Sequence, residues 1–295
     1  MPLFSVVITC YNYGQYLESS MQSVLEQTCS DFEVIVVDDG SIDNTPEVME
    51  RYLTNTKIKY IRQANAGQPK AKNRGIIESN GKFIAFLDAD DIWMPTKLEK
   101  QIALFDDPHT GVVYSRRKWI NPDAVEISGN ERKLHRGNVL DKIFIDNFIC
   151  FSSSVIRRAA LDEAGFFDEN LPMGIDYDLW IRLAAICRFD YVDEPLVKYR
   201  TGHANLSKNT MKRYECAQKI MRKALNDPRI RNKFSWYVPR LAWADTWSNM
   251  ASYHARTGNM HVAFHYYGKA AMQLPVYPQL WKRMIKCLIR RGQFL

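Results

Sequence analysis

The stretch FIAFLDADDIWMP, residues 83–95, joins a run of apolar residues to a cluster of acids. A continuous apolar run of this length, followed by turn-forming residues, is typical of a strand that is buried on both faces. Asp88, Asp90 and Asp91 then crowd its end. Neighbouring carboxylates repel one another, and burial disfavours their ionised form. A bound divalent cation would offset this charge, because hard cations take oxygen ligands. The stretch alone equally fits acids that only cap a turn before the helix that follows Pro95, so the other motifs of the chain must decide.

The same layout of strand followed by polar residues occurs four times in the first hundred residues. The strand-like runs are FSVVIT (4–9), FEVIVVDDGS (32–41), KIKYI (57–61) and KFIAFLD (82–88), and helices are expected at 15–27, at 43–53 and from Gln68. This alternation predicts an α/β fold with a parallel sheet that is covered by helices on both faces. Ligands of such sheets bind beyond the carboxyl ends of the strands. We therefore expect residues 9–12, 38–41, 62–65 and 88–91 to lie along one edge.

The composition is that of a globular protein with one large domain and an appendage, or with two domains. The chain has 295 residues, of which 46% are hydrophobic and 25% are charged, and its formal net charge is +7. The positive charge favours an anionic partner. The basic residues are dispersed and no nucleic-acid-binding motif occurs, so a nucleic-acid partner is not expected.

The cysteines and the N-terminus indicate a cytoplasmic protein. The six cysteines have no metal-ligand spacing and are expected to be buried, reduced thiols. The start of the chain lacks the layout of a signal peptide, and no apolar run reaches the ~18 residues that span a bilayer. Peripheral contact with the inner face of the cell membrane stays open.

The second half of the chain divides into an irregular part and a helical part. After the stretch at 111–130, a helix is expected at 137–146, and the segment IDYDLWIRLAAICRFDYVDEPLVKYR (175–200) predicts a helix and two strands. From Ser207 the pattern is wholly helical. We therefore place a catalytic domain at 1–206 and a helical region at 207–295.

The helical region repeats with a period of 34 residues, which separates Trp247 from Trp281 and Gly258 from Gly292. Its first unit has the spacing of a tetratricopeptide repeat. Fewer than three repeats do not normally form a solenoid, so we expect these helices to cap the catalytic domain, with a protein partner as the alternative. The terminal segment LWKRMIKCLIRRGQFL (280–295) could lie on an anionic membrane surface, or it is a half-repeat whose cations face water.

Six ordered motifs across residues 5–203 carry a resemblance to a known family. They are SVVITCYNYGQYLESSMQSVLEQTCSDFEVIVVDDGSIDNT, NAGQPKAKNRGI, FIAFLDADDIW, GFFDE, DYDLWIRL and YRTGH. Together they resemble the inverting glycosyltransferases of family 2, which have a GT-A fold, a Rossmann-like and mostly parallel sheet flanked by helices. The resemblance implies a nucleotide-sugar donor, usually linked to UDP, a cofactor that is Mn²⁺ or Mg²⁺, and transfer with inversion at the anomeric carbon.

The resemblance assigns the ends of the first two strands to the nucleoside. Thr9, Tyr11 and Asn12 are expected to cradle it, and Asp39 to accept the hydrogen bond of the uracil N3–H. The alternative for Asp39 is a cap on the following helix. Its neighbour Asp38 either serves the same pocket or holds the turn.

The segment NAGQPKAKNRGI is expected to lie under the ribose and the diphosphate. Gly67, Lys70, Asn73 and Arg74 are its candidate binding residues, because cations offset the charge of the donor. The alternative is a solvated basic helix face, which we expect to hold for Lys72.

The resemblance makes Asp88, Ala89 and Asp90 a D-x-D motif. Asp88 is expected to bond the ribose, and Asp90 to bind the metal that bridges both phosphates. Asp91 is expected to support them. The alternative is that Asp90 and Asp91 cap a turn before the helix that follows Pro95.

The base of the reaction is assigned to Asp176 in GIDYDLWIRL, at an expected helix start whose dipole favours the ionised carboxylate. The family more often has Glu-Asp where this chain has Ile175 and Asp176. Asp178 is the reserve candidate, and Trp180 is expected to pack under the site.

The motif YRTGH supplies His203, which in many relatives reaches the metal or the diphosphate, with Arg200 as a weaker companion. The loop after the last strand could close over the donor. The expected function is transfer of a sugar to a hydroxyl of a glycan or lipid-linked acceptor, in the synthesis of a bacterial surface polysaccharide.

Other functions fit the motifs less well. A haloacid-dehalogenase-type phosphatase would have Thr or Val two residues after its second Asp, where this chain has Ile92, and a nucleotidyltransferase would have a Gly-rich loop in place of TCYNYG. Neither G-x-G-x-x-G nor a P-loop occurs. The non-enzymatic alternative is a nucleotide-sugar-binding or scaffolding protein that acts through its helical tail.

Overall fold

The computed structural model describes residues 1–202 and 209–292, with side chains as far as Cys287. The chain forms two compact units. The first unit contains Met1–Val139 and Phe148–Lys208, and the second contains Leu140–Asn147 and Asn209–Leu295. A short segment from the middle of the chain thus packs with the C-terminal helices.

The first unit alternates strands with helices over its first hundred residues. These elements are β1 (Phe4–Cys10), α1 (Gly14–Leu25), β2 (Phe32–Asp38), α2 (Thr45–Glu50), β3 (Ile58–Arg62), α3 (Gln68–Ile77), β4 (Phe83–Asp88), β5 (Ile92–Trp93) and α4 (Lys97–Ile102). The later elements of this unit are β6 (Thr110–Ile120), β7 (Glu126–Ile127), β8 (Val155–Arg157), α6 (Arg158–Ala164), α7 (Ile175–Ala184) and β9 (Arg188–Arg200). Between them, α5 (Leu140–Ile145) belongs to the second unit.

The strands of the described residues form one sheet in the order β3-β2-β1-β4-β8-β6-β9-β5, with β7 paired to β6. The pairs among β3, β2, β1 and β4 are parallel. Beyond β4 the sheet is mixed, because β8 runs antiparallel to β4 and to β6. The predicted α/β fold is confirmed, but the expectation of a parallel sheet holds only for the pairs among β3, β2, β1 and β4 and for β6 with β9, because the pairs of β8 with β4 and β6, of β7 with β6 and of β5 with β9 are antiparallel.

The first four strands are apolar on both faces because helices cover both sides of the sheet. Neighbouring residues of these strands point to opposite faces of the sheet, and both are buried. Examples are Val6 and Val7 of β1 and Val34 and Ile35 of β2. Burial of each such side chain stabilises the fold by about 1.5–3 kcal/mol. These strands therefore form a rigid platform whose polar ends carry the candidate site.

The carboxyl ends of the strands meet in one row, as expected. Thr9 of β1 lies opposite Asp88 of β4, and Cys10 lies opposite Asp38 of β2. Asp38 in turn lies opposite Arg62 of β3. The polar residues that follow three strands are thus brought to one edge.

The prediction of two strands after α7 is wrong, because a single strand, β9, runs from Arg188 to Arg200. Its register against β6 shifts between Val192, opposite Ser115, and Pro195, opposite Arg116. Pro195 lacks the N–H that a regular ladder requires, and such residues are accommodated at irregular positions. The two extra residues at this shift absorb the proline without ending the strand.

The second unit is helical, as expected. Its elements after α5 are α8 (Thr210–Asn226), α9 (Pro228–Arg231), α10 (Val238–Arg256), α11 (Met260–Gln273) and α12 (Pro278–Gly292). Gly258 has a φ of 85° in the turn between α10 and α11, a conformation that favours glycine. The residues predicted from tetratricopeptide spacing form the core of this hairpin: Ala251, Ala263, Tyr267 and Ala270 are buried together with Leu280.

Helix α5 packs into the same unit through an aromatic contact and two hydrogen bonds. The ring centroids of Phe144 and Phe234 lie 4.3 Å apart. Asp141 accepts hydrogen bonds from the backbone N–H and the hydroxyl of Ser235. None of the helices in the described part of the chain is long and apolar enough to cross a membrane.

Candidate active site

The first of the paired acids after β2, Asp38, holds the turn. Its buried carboxylate accepts hydrogen bonds from the Ser41 N–H (2.8 Å) and the Tyr60 hydroxyl (2.8 Å), and Arg62 lies 3.6 Å away. Burial and the bond to Asp38 raise the pKa of Tyr60, so its phenol keeps the proton that it donates. Of the two roles expected for Asp38, the structure shows the one in which it holds the turn.

The second acid, Asp39, organises the loop before α3. It accepts hydrogen bonds from the Gln63 side chain (2.7 Å), the Ala66 N–H (2.9 Å) and the Gly67 N–H (2.8 Å). Gly67 has a φ of 92°, which explains the glycine at this position. Asn44, not Asp39, is the N-cap residue of α2. A carboxylate has about four acceptor positions, so one position of Asp39 remains for a ligand.

The loops after β1 and β2 are joined to each other. The Asn12 N–H donates to the Ser41 hydroxyl (3.0 Å), and the Asn12 side-chain oxygen accepts from the Ile42 N–H (2.8 Å). Asn12 has a φ of 58°, a conformation that Asn tolerates better than most residues. Tyr11 is exposed beside it and Thr9 is half-buried. The three residues predicted to cradle a nucleoside therefore lie together, Thr9 at the end of β1 and the other two on the loop that follows it.

The acid at the end of β4 has a cationic partner that the sequence did not predict. The Lys72 Nζ lies 2.7 Å from a carboxylate oxygen of Asp88 and 4.0 Å from the centre of the Phe151 ring. The side chain of Lys72 is only 3% exposed, so the expectation that it is solvated is wrong. Lys72 follows Pro69 by three positions and precedes Ile76 by four, and both are buried. This helical spacing is the signal that could have identified it.

The other candidate donor-binding residues of α3 have different surroundings. Lys70 is exposed, and the exposed Arg74 bonds Glu78 at 2.6 Å. Asn73 is buried, and its amide exchanges hydrogen bonds with the backbone of Phe167 (2.9 and 3.0 Å). Asn73 thus holds the GFFDE segment against α3.

Residues 88–91 form a turn, called the acidic turn below, and the buried Asp91 fixes its conformation. Asp91 accepts hydrogen bonds from the Ser152 hydroxyl (2.5 Å) and the Arg200 N–H (2.8 Å). Ser152 also accepts the Asp88 N–H at 3.1 Å. The residue at the N-cap of α4 is Thr96. Asp91 therefore supports Asp88 through Ser152 and does not cap the next helix.

The backbone of the D-x-D motif is held from both sides. The Ser20 hydroxyl donates to the carbonyl of Ala89 (2.8 Å) and to that of Asp91 (2.5 Å). The Arg200 guanidinium donates to the Asp90 carbonyl (2.7 Å). Arg200 thus contributes through the backbone, and the half-buried Asp90 side chain lies on a turn of fixed conformation.

The acidic turn has an excess of negative charge. Burial raises the pKa of Asp91, and the charges of Asp90 and Asp88 raise it further. Burial and the same two charges raise the pKa of Tyr13. No cluster of three His, Cys, Asp or Glu side chains able to hold a metal occurs among the described residues. The turn fits a divalent cation that is bound by one or two carboxylates and completed by phosphate oxygens and water.

Helix α7 carries the predicted base on its first turn. Asp176 is the second residue of the helix, after Gly174 with a φ of 73°, and it is half-buried. The reserve candidate Asp178 is buried against Arg182 (2.9 Å), which also donates to the carbonyls of residues 164–166. Asp178 is therefore structural, and it holds the GFFDE segment from the other side.

A chain of aromatic contacts connects α7 to the acidic turn. The buried Trp180 ring lies 6.2 Å from the ring of Phe151, centre to centre. Phe151 in turn contacts Lys72, the partner of Asp88. Trp180 packs beneath the site, as predicted. His203, the remaining candidate, lies outside the described residues.

Comparison with known proteins identifies the family. The sequence model of "Glycosyl transferase family 2" matches residues 5–165. The chain belongs to glycosyl transferase family 2. An uncharacterised glycosyltransferase of Rickettsia felis is 31% identical over 241 residues, which are 81% of this chain and 40% of that relative. The chain thus spans less than half of the rickettsial protein.

Two solved structures resemble the whole chain. Staphylococcus aureus TarS 1-349 in complex with UDP-GlcNAc has a TM-score of 0.64 and 18% identity, with 93% of each chain covered. The mannosyltransferase PcManGT from Pyrobaculum calidifontis, in complex with GDP-Man and Mn²⁺, has a TM-score of 0.61 and 20% identity, with 98% of this chain and 85% of that chain covered. These likenesses confirm the expected GT-A fold.

Proposed function

We propose that this family 2 member transfers a sugar from a nucleotide-sugar, UDP-linked, to a hydroxyl of a glycan or lipid-linked acceptor, with inversion at the anomeric carbon. Family membership supports the reaction class, and two structural neighbours bind nucleotide-sugars, UDP-GlcNAc and GDP-Man. The cellular setting that we propose is bacterial surface polysaccharide synthesis at the cytoplasmic side of the membrane.

The donor nucleoside would bind where the loops after β1 and β2 meet. Thr9, Tyr11 and Asn12 form one wall, and Asp39 offers its remaining acceptor position to the N3–H of a uracil. A pyrimidine imide N–H requires an acceptor, and Asp39 is held in place by the loop that it organises. Gly67 and Lys70 would extend this wall under the ribose and the diphosphate.

The diphosphate would lie against the acidic turn together with its metal. Asp90, together with His203 of the YRTGH motif, would hold Mn²⁺ or Mg²⁺, which when bound supplies charge neutralisation at the departing diphosphate. Asp88 stays oriented by Lys72 and by Ser152. Lys72 adds a positive charge beside Asp88.

Catalysis would need one base and no nucleophile of the protein. The Asp176 carboxylate takes the proton of the acceptor hydroxyl, and the N-terminus of α7 stabilises its ionised form. The hydroxyl oxygen forms a bond to the anomeric carbon as the bond from that carbon to the UDP oxygen breaks. The configuration inverts in this single displacement, and UDP leaves with the electron pair.

The observation that carries the proposal is the acidic turn after β4. Hydrogen bonds fix its backbone, and Asp88 and Asp90 lie at the carboxyl edge of the sheet. Its test is a screen of UDP-sugars and GDP-sugars by thermal unfolding, with Mn²⁺ and with EDTA. A ligand at 100 times its dissociation constant stabilises the folded protein by about 2.7 kcal/mol. We expect stabilisation by UDP-sugars that EDTA removes. If no nucleotide-sugar stabilises the protein in either condition, the proposal is wrong.

The alternative is a catalytically weak nucleotide-sugar-binding or scaffolding protein that recruits a partner through its helices. The buried core of the α10–α11 hairpin favours it, since such hairpins form protein-binding repeats. Release of UDP from UDP-sugar, measured alone and with candidate acceptors, distinguishes the two. Stabilisation without UDP release under any acceptor would favour the scaffold.

A further inference from the structure

A small cleft opens in the first unit outside the donor site. Its wall from β6 includes Ser115, Arg116, Arg117 and Trp119, and the residues from 130 to 134 form the opposite wall. Phe148 and Cys150 also line it. No residue of this cleft has a role in the donor site described above.

The cleft lies at the same edge of the sheet as the acidic turn. Strand β8 is antiparallel to both β4 and β6, so β4 and β6 run in the same direction. Ser115 and Trp119 therefore lie toward the carboxyl end of the sheet, as Asp88 does. Cys150 of the cleft is two residues from Ser152, which contacts both Asp88 and Asp91.

The order of the strands places the cleft on the side of β4 away from the nucleoside. Asp39 follows β2, two strands to one side of β4, whereas β6 lies two strands to the other side. A donor held between the end of β2 and the end of β4 would leave its sugar near the acidic turn. The cleft then borders the turn from the side that a second substrate can approach.

Two consecutive arginines of β6, Arg116 and Arg117, line the cleft. The register of β6 against β9 shifts between Ser115 and Arg116, and again between Arg116 and Arg117, and the extra residues at both shifts lie in β9. Neighbouring residues of a regular strand point to opposite faces, and bulges are common next to active sites. The irregular part of the ladder therefore coincides with the place where both arginines border one cleft.

The two arginines differ in their partners. Arg116 is paired with Asp193 and lies 3.6 Å from Glu131. Arg117 pairs with no carboxylate among the side chains described in residues 1–202 and 209–287. Its guanidinium donates a hydrogen bond to the Cys150 thiol and lies 4.4 Å from the ring centre of Trp119 and 5.1 Å from that of Tyr199. Stacking on aromatic faces fixes the plane of a guanidinium while its N–H groups can still bond an anion in a bidentate manner.

The cleft is built for binding and not for nucleophilic chemistry. Burial raises the pKa of the Cys150 thiol to about 12, although the charge of Arg117 acts in the opposite direction. The thiol is therefore protonated at neutral pH and is a poor nucleophile. Arg117 remains as the group that would recognise a ligand, beside the apolar surfaces of Trp119 and Phe148.

We propose that this cleft binds an anionic group of the acceptor, a phosphate ester or a carboxylate on a sugar or polyol, and that Arg117 is its recognition residue. The inference rests on the proposed function, since it deepens the acceptor class of the same site.

The test compares three hexoses that differ in charge: glucose, glucose 6-phosphate and glucuronate. Binding is measured by ligand-observed NMR with UDP and Mn²⁺ at saturation, so that the donor site is filled. We expect at least one charged hexose to bind about tenfold or more tightly than glucose, the contribution of one charge-assisted hydrogen bond. The hexose that binds identifies phosphate or carboxylate as the group.

Three variants locate the binding. Arg117→Gln should lose the preference for the charged hexose, and Arg117→Lys should retain part of it, because the charge stays but the planar fork is lost. Lys118→Gln is the matched control, since it removes one positive charge from the next residue, which is paired with Glu126 and does not line the cleft. The preference should be unchanged in this control.

The inference is overturned if neither charged hexose binds better than glucose, or if Arg117→Gln keeps the preference of the parent. UDP binding, measured separately in each protein, tests the proposed function and not the inference. Normal UDP binding with no preference for a charged hexose would remove the anionic acceptor alone. Absence of UDP binding would instead remove the proposed transfer reaction.

Discussion

The two halves of the sheet are built in different ways. Strands β3, β2, β1 and β4 pair in parallel with an unbroken register, and their helices cover both faces. Strands β8, β6, β9 and β5 pair in mixed directions, and the β6–β9 ladder contains register shifts. The first half carries the candidate donor residues at the ends of its strands, and the second half carries the cleft.

This difference separates residues that a motif locates from residues that only the fold locates. In the first half, a residue is placed by its position after a strand, so a sequence motif suffices to locate it. In the second half, Arg117 borders the cleft where the ladder between β6 and β9 is irregular. The proposed donor residues can therefore be found from motifs, whereas the residue proposed to recognise the acceptor cannot.

The largest expected effect comes from Asp176, the proposed base. Asp176→Asn keeps the shape of the side chain but cannot take a proton. We expect the rate of sugar transfer to fall by about 10²–10⁴-fold, as for the loss of a general base. UDP affinity, measured by calorimetry, should be unchanged because the candidate donor residues after β1, β2 and β4 are all present. Asp162→Asn, an exposed acid of α6, is the control and should keep the parent rate.

The next prediction compares two lysines of helix α3, which lie two residues apart. Lys72→Met leaves Asp88 without its cationic partner, so we expect the free energy of unfolding to fall by about 2 kcal/mol. A fully buried pair would cost more, but the Asp88 side chain is 28% exposed. Lys70→Met, at an exposed position, should change it by less than about 0.5 kcal/mol. Urea denaturation measures both. Equal losses would show that the Lys72 pair is not a stabilising contact.

A smaller effect tests whether a third region, helix α12, provides the membrane contact proposed above. Trp281 and Ile285 are exposed one turn apart beside Lys282 and Lys286, whereas Leu280 is buried. The double variant Trp281→Gln, Ile285→Gln should weaken binding to anionic vesicles by about tenfold, as sedimentation would measure.

The control for this variant is an exposed apolar residue of the first unit. Ile186→Gln, at the end of α7, should bind the vesicles as the parent does. Unchanged binding of the Trp281 and Ile285 variant would discard the membrane contact. Truncation of residues 281–295 should weaken vesicle binding at least as much as the double variant.

The smallest expected effect is the absence of a reaction at Cys150 in the cleft. A thiol reacts with iodoacetamide as the thiolate, and a pKa of about 12 leaves almost no thiolate at pH 8. Since the folded protein holds the proton until the pH approaches 12, the peptide containing Cys150 should stay unmodified at pH 8 and react only after unfolding, as mass spectrometry would measure. Rapid alkylation in the folded state would show a reactive cysteine and change the view of the cleft as a binding site.

The first half of the fold was readable from the sequence because its signals are local. Strand β4 was expected at 82–88 and runs from Phe83 to Asp88, and α3 begins at Gln68 as expected. Runs that are apolar on both faces alternate with helices, and each acid comes directly after such a run. The edge that gathers Asp38, Asp39 and Asp88 follows from these signals alone.

The rest depended on contacts between residues far apart in the chain. A lysine was assigned to solvent by its type, but Lys72 is buried because Asp88 and the Phe151 ring lie beside it. Two strands were expected after α7, but the extra residues of β9 accommodate Pro195 within one strand. No pattern indicated that Leu140–Asn147 would pack with the C-terminal helices.

The acceptor cleft was invisible for the same reason. Arg117 has no motif around it, and it borders the cleft beside a register shift against β9, a strand much further along the chain. Sequence spacing describes one strand at a time, whereas a register shift is a property of two.

The central claim is that the acids after β4 bind a divalent cation which in turn binds the diphosphate of the donor. The measurement that tests it most directly is the calorimetric affinity of UDP for the parent protein and for Asp90→Ala, each with Mn²⁺ and with EDTA. We predict that Mn²⁺ tightens UDP binding to the parent by about tenfold or more, and that Asp90→Ala loses this gain. Equal affinity of the parent for UDP with and without metal, or a variant that gains from Mn²⁺ as much as the parent does, would contradict the account.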